Sequence, residues 1–73
     1  MKIDVESWYL VNTEVGDLIV EVIDRRSGID SWWSCRIWNK PKHNIIRVRR
    51  NRFKENLGLS LNEALNKSPQ YFI

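Results

Sequence analysis

Three closely spaced runs alternate between apolar and polar residues with a period of two: "DLIVEVID" (17–24), "SWWSCRIW" (31–38) and "IIRVRR" (45–50). Successive side chains of a strand point to opposite faces, so this period predicts strands and assigns each residue a side. In the first run Leu18, Val20 and Val22 make one apolar face, while Ile19, Glu21 and Ile23 make a mixed one. A strand apolar on nearly both sides belongs at the centre of a sheet, or in a curled sheet or small barrel. In the second run Trp33, Cys35 and Ile37 face one way, and Trp32, Ser34, Arg36 and Trp38 the other. In the third, Ile46 and Val48 point inward and Arg47 and Arg49 outward. A fourth run, "ESWYLVN" (6–12), is aromatic and branched and reads as a further strand. The connectors are short: "TEVGD" with Gly16 as its turn residue, "RRSGID" with Gly28, and the basic hairpin loop "NKPKHN". Short connections make an antiparallel meander.

After residue 50 the pattern changes. "NRFKENLG" places Phe53 and Leu57 four apart with Gly58 as a stop, which predicts a short helix. In "SLNEALNKSP", Ser60 and Glu63 have capping-box spacing, Leu61, Ala64 and Leu65 share a face, and Pro69 ends the element. The tail "QYFI" is apolar enough to dock. The expectation is one domain over residues 1–73, mainly β with α. It comprises a small antiparallel four-stranded meander, curled or barrel-like, followed by one or two short helices, the last at the C-terminus.

A chain of 73 residues has a thin core. Its four Trp, two Tyr and two Phe either supply that core or in part face outward. Cys35 is the sole cysteine, so it reads as a buried small hydrophobe, and with one histidine, His43, it cannot complete a protein-only zinc site. No metal or other cofactor is expected. The chain shows no glycine-rich phosphate loop and no nucleophile elbow, and His43 has no acid partner in its loop, so it is not expected to be an enzyme. "MKIDVESW" reads as a native start without a tag or signal peptide. No apolar run approaches membrane-spanning length. The expectation is a chain outside the membrane, in the reducing cytoplasm.

Charge is segregated along the chain. Residues 1–30 carry seven acids against three basic residues, residues 31–55 eight basic residues against one acid, and the remainder one of each. Either the two halves neutralise each other across strands, or the domain has a basic face that steers an anionic partner. If Trp33, Cys35 and Ile37 form the core, Trp32, Arg36 and Trp38 lie outside beside Arg47 and Arg49. Aromatic faces for bases and cations for phosphates are what single-stranded nucleic acid requires. Lys40 and Lys42 in the loop, and Arg50 and Arg52 beyond the last strand, extend the set. The run Arg49, Arg50, Arg52, Lys54 at an expected helix start also suits bound phosphate, because the helix dipole there disfavours cations. Against this, the terminal helix can cover Trp32 and Trp38, and Glu21 can neutralise Arg36 across the strand pair.

"VGDLIVEVID" (15–24) and the tryptophan strand after it resemble the opening of SH3-like small barrels. That resemblance implies a curled barrel and a class that includes chromatin-associated and ribosomal modules binding nucleic acid or peptides. It carries over no functional residue. From the arginine-rich, tryptophan-bearing sheet face, the first expectation for function is a DNA- or RNA-binding module using Trp32, Arg36, Trp38, Lys40, Lys42, Arg47, Arg49, Arg50 and Arg52. The alternative is a non-catalytic protein-interaction protein, such as a phage or mobile-element inhibitor of a host machine or a small accessory subunit. Its aromatics and arginines would be interface anchors. Homo-oligomerisation through an open sheet edge fits either reading.

Overall fold

The computed structural model describes residues 2–26 and 32–67. The four expected strands form as β1 (Trp8–Thr13), β2 (Gly16–Arg26), β3 (Trp32–Ile37) and β4 (Ile45–Arg49). A 3-10 turn (Arg50–Arg52), a fifth strand β5 (Phe53–Gly58) and a helix α1 (Leu61–Lys67) follow. All pairings are antiparallel, in the order β4-β3-β2-β1-β5. The expected turn at Gly28, the stop at Pro69 and the docking of "QYFI" lie outside the described residues.

Among the described residues the sheet thus has five strands rather than four, and residues 53–58 are a strand instead of the expected short helix. The reason lies in β1. Trp8, Tyr9, Leu10 and Val11 are all buried, so this strand is covered on both faces and needs a neighbour along each edge. β2 takes one edge and β5 the other. The β1–β5 register shifts twice, pairing Val11 with Phe53, Leu10 with Glu55, Tyr9 with Asn56 and Trp8 with Gly58. Each shift inserts an extra residue on β5 and changes its parity. Phe53 therefore packs with Tyr9 and Val11, while Leu57 packs with Trp8 and Leu10 on the other side. A helix would have put both on one stripe.

The connection from β4 to β5 forces the sheet to curl. Laid flat, these outer strands would be about 19 Å apart, four interstrand spacings. The four chain steps from Arg49 to Phe53 reach about 14 Å at full extension, and the 3-10 turn shortens them. The concave side holds Tyr9, Val11, Val20, Val22, Trp33, Cys35, Val48 and Phe53. The Phe53 ring meets Tyr9 at 5.3 Å and Trp33 at 5.5 Å between centroids, both edge-on. Ile3 packs on the same cluster, and the Tyr9 hydroxyl accepts a hydrogen bond from the Asp4 N–H at 2.8 Å, which ties the N-terminal segment across it.

The convex side holds Trp8, Leu10, Ile19, Leu57 and Ala64. Helix α1 lies there on β5 and β1, and its stripe is the expected Leu61, Ala64 and Leu65. The Glu63 N–H donates to Ser60 Oγ at 3.2 Å, the first half of the capping box.

Gly58 joins β5 to this helix at φ +107°, where side chains are strained, and a Cβ there would also meet the Glu63 carboxylate. Gly58→Ala is expected to destabilise the fold by about 1–3 kcal/mol in urea denaturation. The carboxylate can swing away but the backbone angle cannot change, so adding Glu63→Ala should restore little. Full recovery in the double variant would place the cost in the clash instead.

Burial pushes the Cys35 thiol up from its ordinary value of 9.0 to about 12. The folded chain keeps the thiol protonated where the unfolded chain ionises it. The stability this contributes is fully present below pH 9 and is lost as the pH rises from there toward 12. The slope attributable to Cys35 is expected to reach about 1.4 kcal/mol per pH unit within that window. Stability measured against pH should fall less steeply in Cys35→Ala, and equal slopes would count against thiol burial as the cause.

Candidate nucleic-acid interface

The convex side of β3 and β4 lies beyond the reach of α1, which packs two strands away. Parity places Trp32, Ser34 and Arg36 there, and the register sets them opposite Arg49, Arg47 and Ile45 respectively. Trp33 is 1% exposed on the concave side, whereas Trp32 is half-buried, so the adjacent indoles do lie on opposite faces. The Arg47 guanidinium sits 4.8 Å from the centre of the Trp32 ring. This cation–π pair leaves an amphipathic surface, with one indole and two arginines from adjacent strands.

The other expected contributors divide. Arg36 Nε donates to Glu21 Oε1 at 2.6 Å, and its guanidinium lies 5.2 Å from the Trp8 ring. This arginine ties β2 to β3 and is not available as a phosphate contact. Trp38, just past the end of β3, packs against the convex cluster of Trp8, Leu10, Ile19, Leu57 and Ala64, so it contributes to the core. Its backbone N–H donates to the Ile19 carbonyl at 3.1 Å. Lys40 and Lys42 are exposed in the loop at the far end of the β3–β4 hairpin from Trp32. Arg50 turns to the concave end, 5.0 Å from the Trp33 ring, with Arg25 at 5.8 Å from the same ring. Arg52 Nη1 donates to Asn12 Oδ1 at 3.3 Å.

No α-helix begins near Arg49, Arg50, Arg52 and Lys54, so the expected conflict with a helix dipole does not arise. Lys54 is paired with Asp17 at 2.7 Å. The acidic and basic halves therefore neutralise each other in part, through Glu21–Arg36 and Asp17–Lys54. The segment 31–54 still contains no carboxylate at all. Its cations concentrate on one margin of the sheet, formed by β4, its hairpin loop and the 3-10 turn.

The topology also creates a groove of about 450 Å³ that the alternation pattern did not reveal. Ile46, Arg47, Val48 and Arg49 line one wall, Asn12, Thr13, Glu14 and Val15 the other, and Leu18 and Ile37 lie between, with Arg52 at the rim. The second wall is the β1–β2 hairpin, which is fixed by its own hydrogen bonds. Thr13 Oγ1 donates to the Gly16 carbonyl at 2.7 Å and accepts from the Val15 N–H at 3.2 Å. Asn12 Nδ2 donates to Asp17 Oδ1 at 2.8 Å. The hydrophobic residues were legible as core candidates, but their meeting across a gap depends on the curl.

Among the described residues no group of three or more His, Cys, Asp or Glu side chains is placed to hold a metal ion, and no helix is long and apolar enough to cross a membrane. Comparison with protein-family models, with curated proteins and with solved structures finds no match for the chain.

Proposed function

We propose that this protein is a non-catalytic, single-stranded nucleic-acid-binding module that works through the convex side of β3 and β4. Trp32 offers a π-face for a base, Arg47 and Arg49 contact the flanking phosphates, and Lys40 and Lys42 extend the cationic track along the hairpin. Arg36 and Trp38 hold the platform in place rather than touching ligand. Arg50 and Arg52 add to the field at the margin. The single observation that carries this reading is the Arg47 guanidinium over the Trp32 ring, on a part of the sheet that α1 leaves open, within a segment free of carboxylates.

An SH3-like small barrel is the finer fold assignment that goes with this proposal. It is supported by five antiparallel strands curled so that a three-residue turn links the outer two. The cytoplasm, where a lone thiol stays reduced and nucleic acid is at hand, is the compartment the proposal implies.

The test is titration of a labelled single-stranded oligonucleotide of about 12 nucleotides, long enough for one site of this kind. Saturable binding at low salt is expected, centred on Trp32. Absence of binding at low salt to both DNA and RNA would end the proposal.

A further inference from the structure

β4 is an outer strand of the sheet, so among the described residues one of its edges has no strand partner. Four consecutive β4 residues, Ile46 to Arg49, line the groove, although their side chains alternate between the two faces. The groove therefore runs along the free edge itself. Alternate residues of such an edge present N–H and C=O groups that a further strand can pair. Two observations identify the occupant. The bed of the groove is apolar, with Leu18 and Ile37 between the walls and Val15 standing 85% exposed at the tip of the facing hairpin. Its rim is cationic, with Arg47 on the Trp32 ring and Arg52 on the neutral Asn12 amide, and Glu14 is the one acid in the lining.

A second copy of the chain is a poor occupant. Pairing β4 with another β4 would set arginines against arginines, and like charges directly opposite destabilise a ladder. Nucleic acid is also a poor fit here, because no residue lining the groove is aromatic and a base would have nothing to stack on. We infer that the groove takes an extended acidic peptide from a partner protein, added to β4 as a sixth strand. Its apolar residues lie on the bed and its carboxylates against the arginine rim. This inference stands apart from the nucleic-acid reading. The two ligands share Arg47 and therefore compete, but Val15 belongs to the groove alone and Trp32 to the convex face alone.

The experiment uses a peptide of about six residues, an ordinary strand length, alternating glutamate with valine or isoleucine. It is compared with the same peptide carrying lysine for glutamate, and with versions N-methylated at every second residue in either phase. Binding is followed by anisotropy and by backbone amide shifts of the full chain. The acidic peptide should saturate at one per chain and shift the amides of β4 and of Val15. The lysine peptide and one N-methyl phase should fail to bind. Val15→Ser, at a site too exposed to affect folding, should weaken the peptide on the order of fivefold while leaving the melting temperature and oligonucleotide affinity unchanged. Equal binding of both N-methyl phases would show charge attraction without a ladder and overturn the inference. So would shifts confined to Trp32 and Ser34, or an oligonucleotide that moves Val15 where the peptide does not.

Discussion

Trp33→Ala is expected to lose about 3–5 kcal/mol of stability, and Trp32→Ala about 1 kcal/mol or less, although the two residues are neighbours. Trp33 is 1% exposed and meets Phe53 across the concavity, so removing it opens a cavity where three strands converge. A chain of this size is stable by roughly 4–11 kcal/mol, so the loss is a large share of the total. Trp32 is half-buried, and its loss removes chiefly the contact with Arg47. Urea denaturation followed by far-ultraviolet circular dichroism measures both without relying on the indole signal. If Trp33→Ala does not fold, Trp33→Phe provides the comparison. The indole N–H of Trp33 has no acceptor among the described residues, so phenylalanine gives up volume but no hydrogen bond. Equal costs at positions 32 and 33 would show that the two sides of the sheet have been misassigned.

Oligonucleotide affinity is expected to fall by roughly two orders of magnitude between 50 and 200 mM salt, as counterion release predicts for about four to six phosphate contacts on a single strand. Variants then separate the roles. Arg47→Ala should lower the slope of log affinity against log salt by about 0.7, the contribution of one phosphate contact. Trp32→Ala should weaken binding on the order of tenfold at every salt concentration and leave the slope unchanged, because stacking releases no counterions. Arg36→Gln should change the slope little, since its guanidinium is engaged by Glu21 at 2.6 Å. A slope that falls as much for Arg36 as for Arg47 would mean that binding follows net charge rather than this surface.

The alternating runs identified β2, β3 and β4, together with the side on which each residue lies. They could do so because a period of two reports directly on which face is buried. The α1 stripe and its capping serine were legible for the same reason, as a local pattern matched to a local geometry. β5 was not. Its apolar residues, Phe53 and Leu57, serve opposite faces through two bulges, and a bulge leaves no periodic trace. The clue lay elsewhere, in the unbroken apolar stretch of β1, which called for a partner on both edges. The candidate site was legible in part. Parity separated Trp32 from Trp33, and the Glu21–Arg36 pair followed from adjacent strands. The packing of Trp38 on the convex cluster and the turning of Arg50 to the concave end depended on how the sheet curls and where the 3-10 turn comes to rest. The groove beside β4 required the curl, a property of the whole sheet that no single segment encodes.

The placement of β5 against β1 also bears on the order in which the fold is acquired. β1, β2, β3 and β4 follow one another as antiparallel neighbours and can associate early, whereas the second edge of Trp8–Val11 must wait for a segment more than forty residues downstream. Pulse-labelling during refolding should show amides of the β2–β3 ladder protected before those shared by β1 and β5. During synthesis, a nascent chain ending before Phe53 has its most apolar strand bare along one side, so the interval until Phe53–Gly58 emerges is when this protein is most exposed to aggregation.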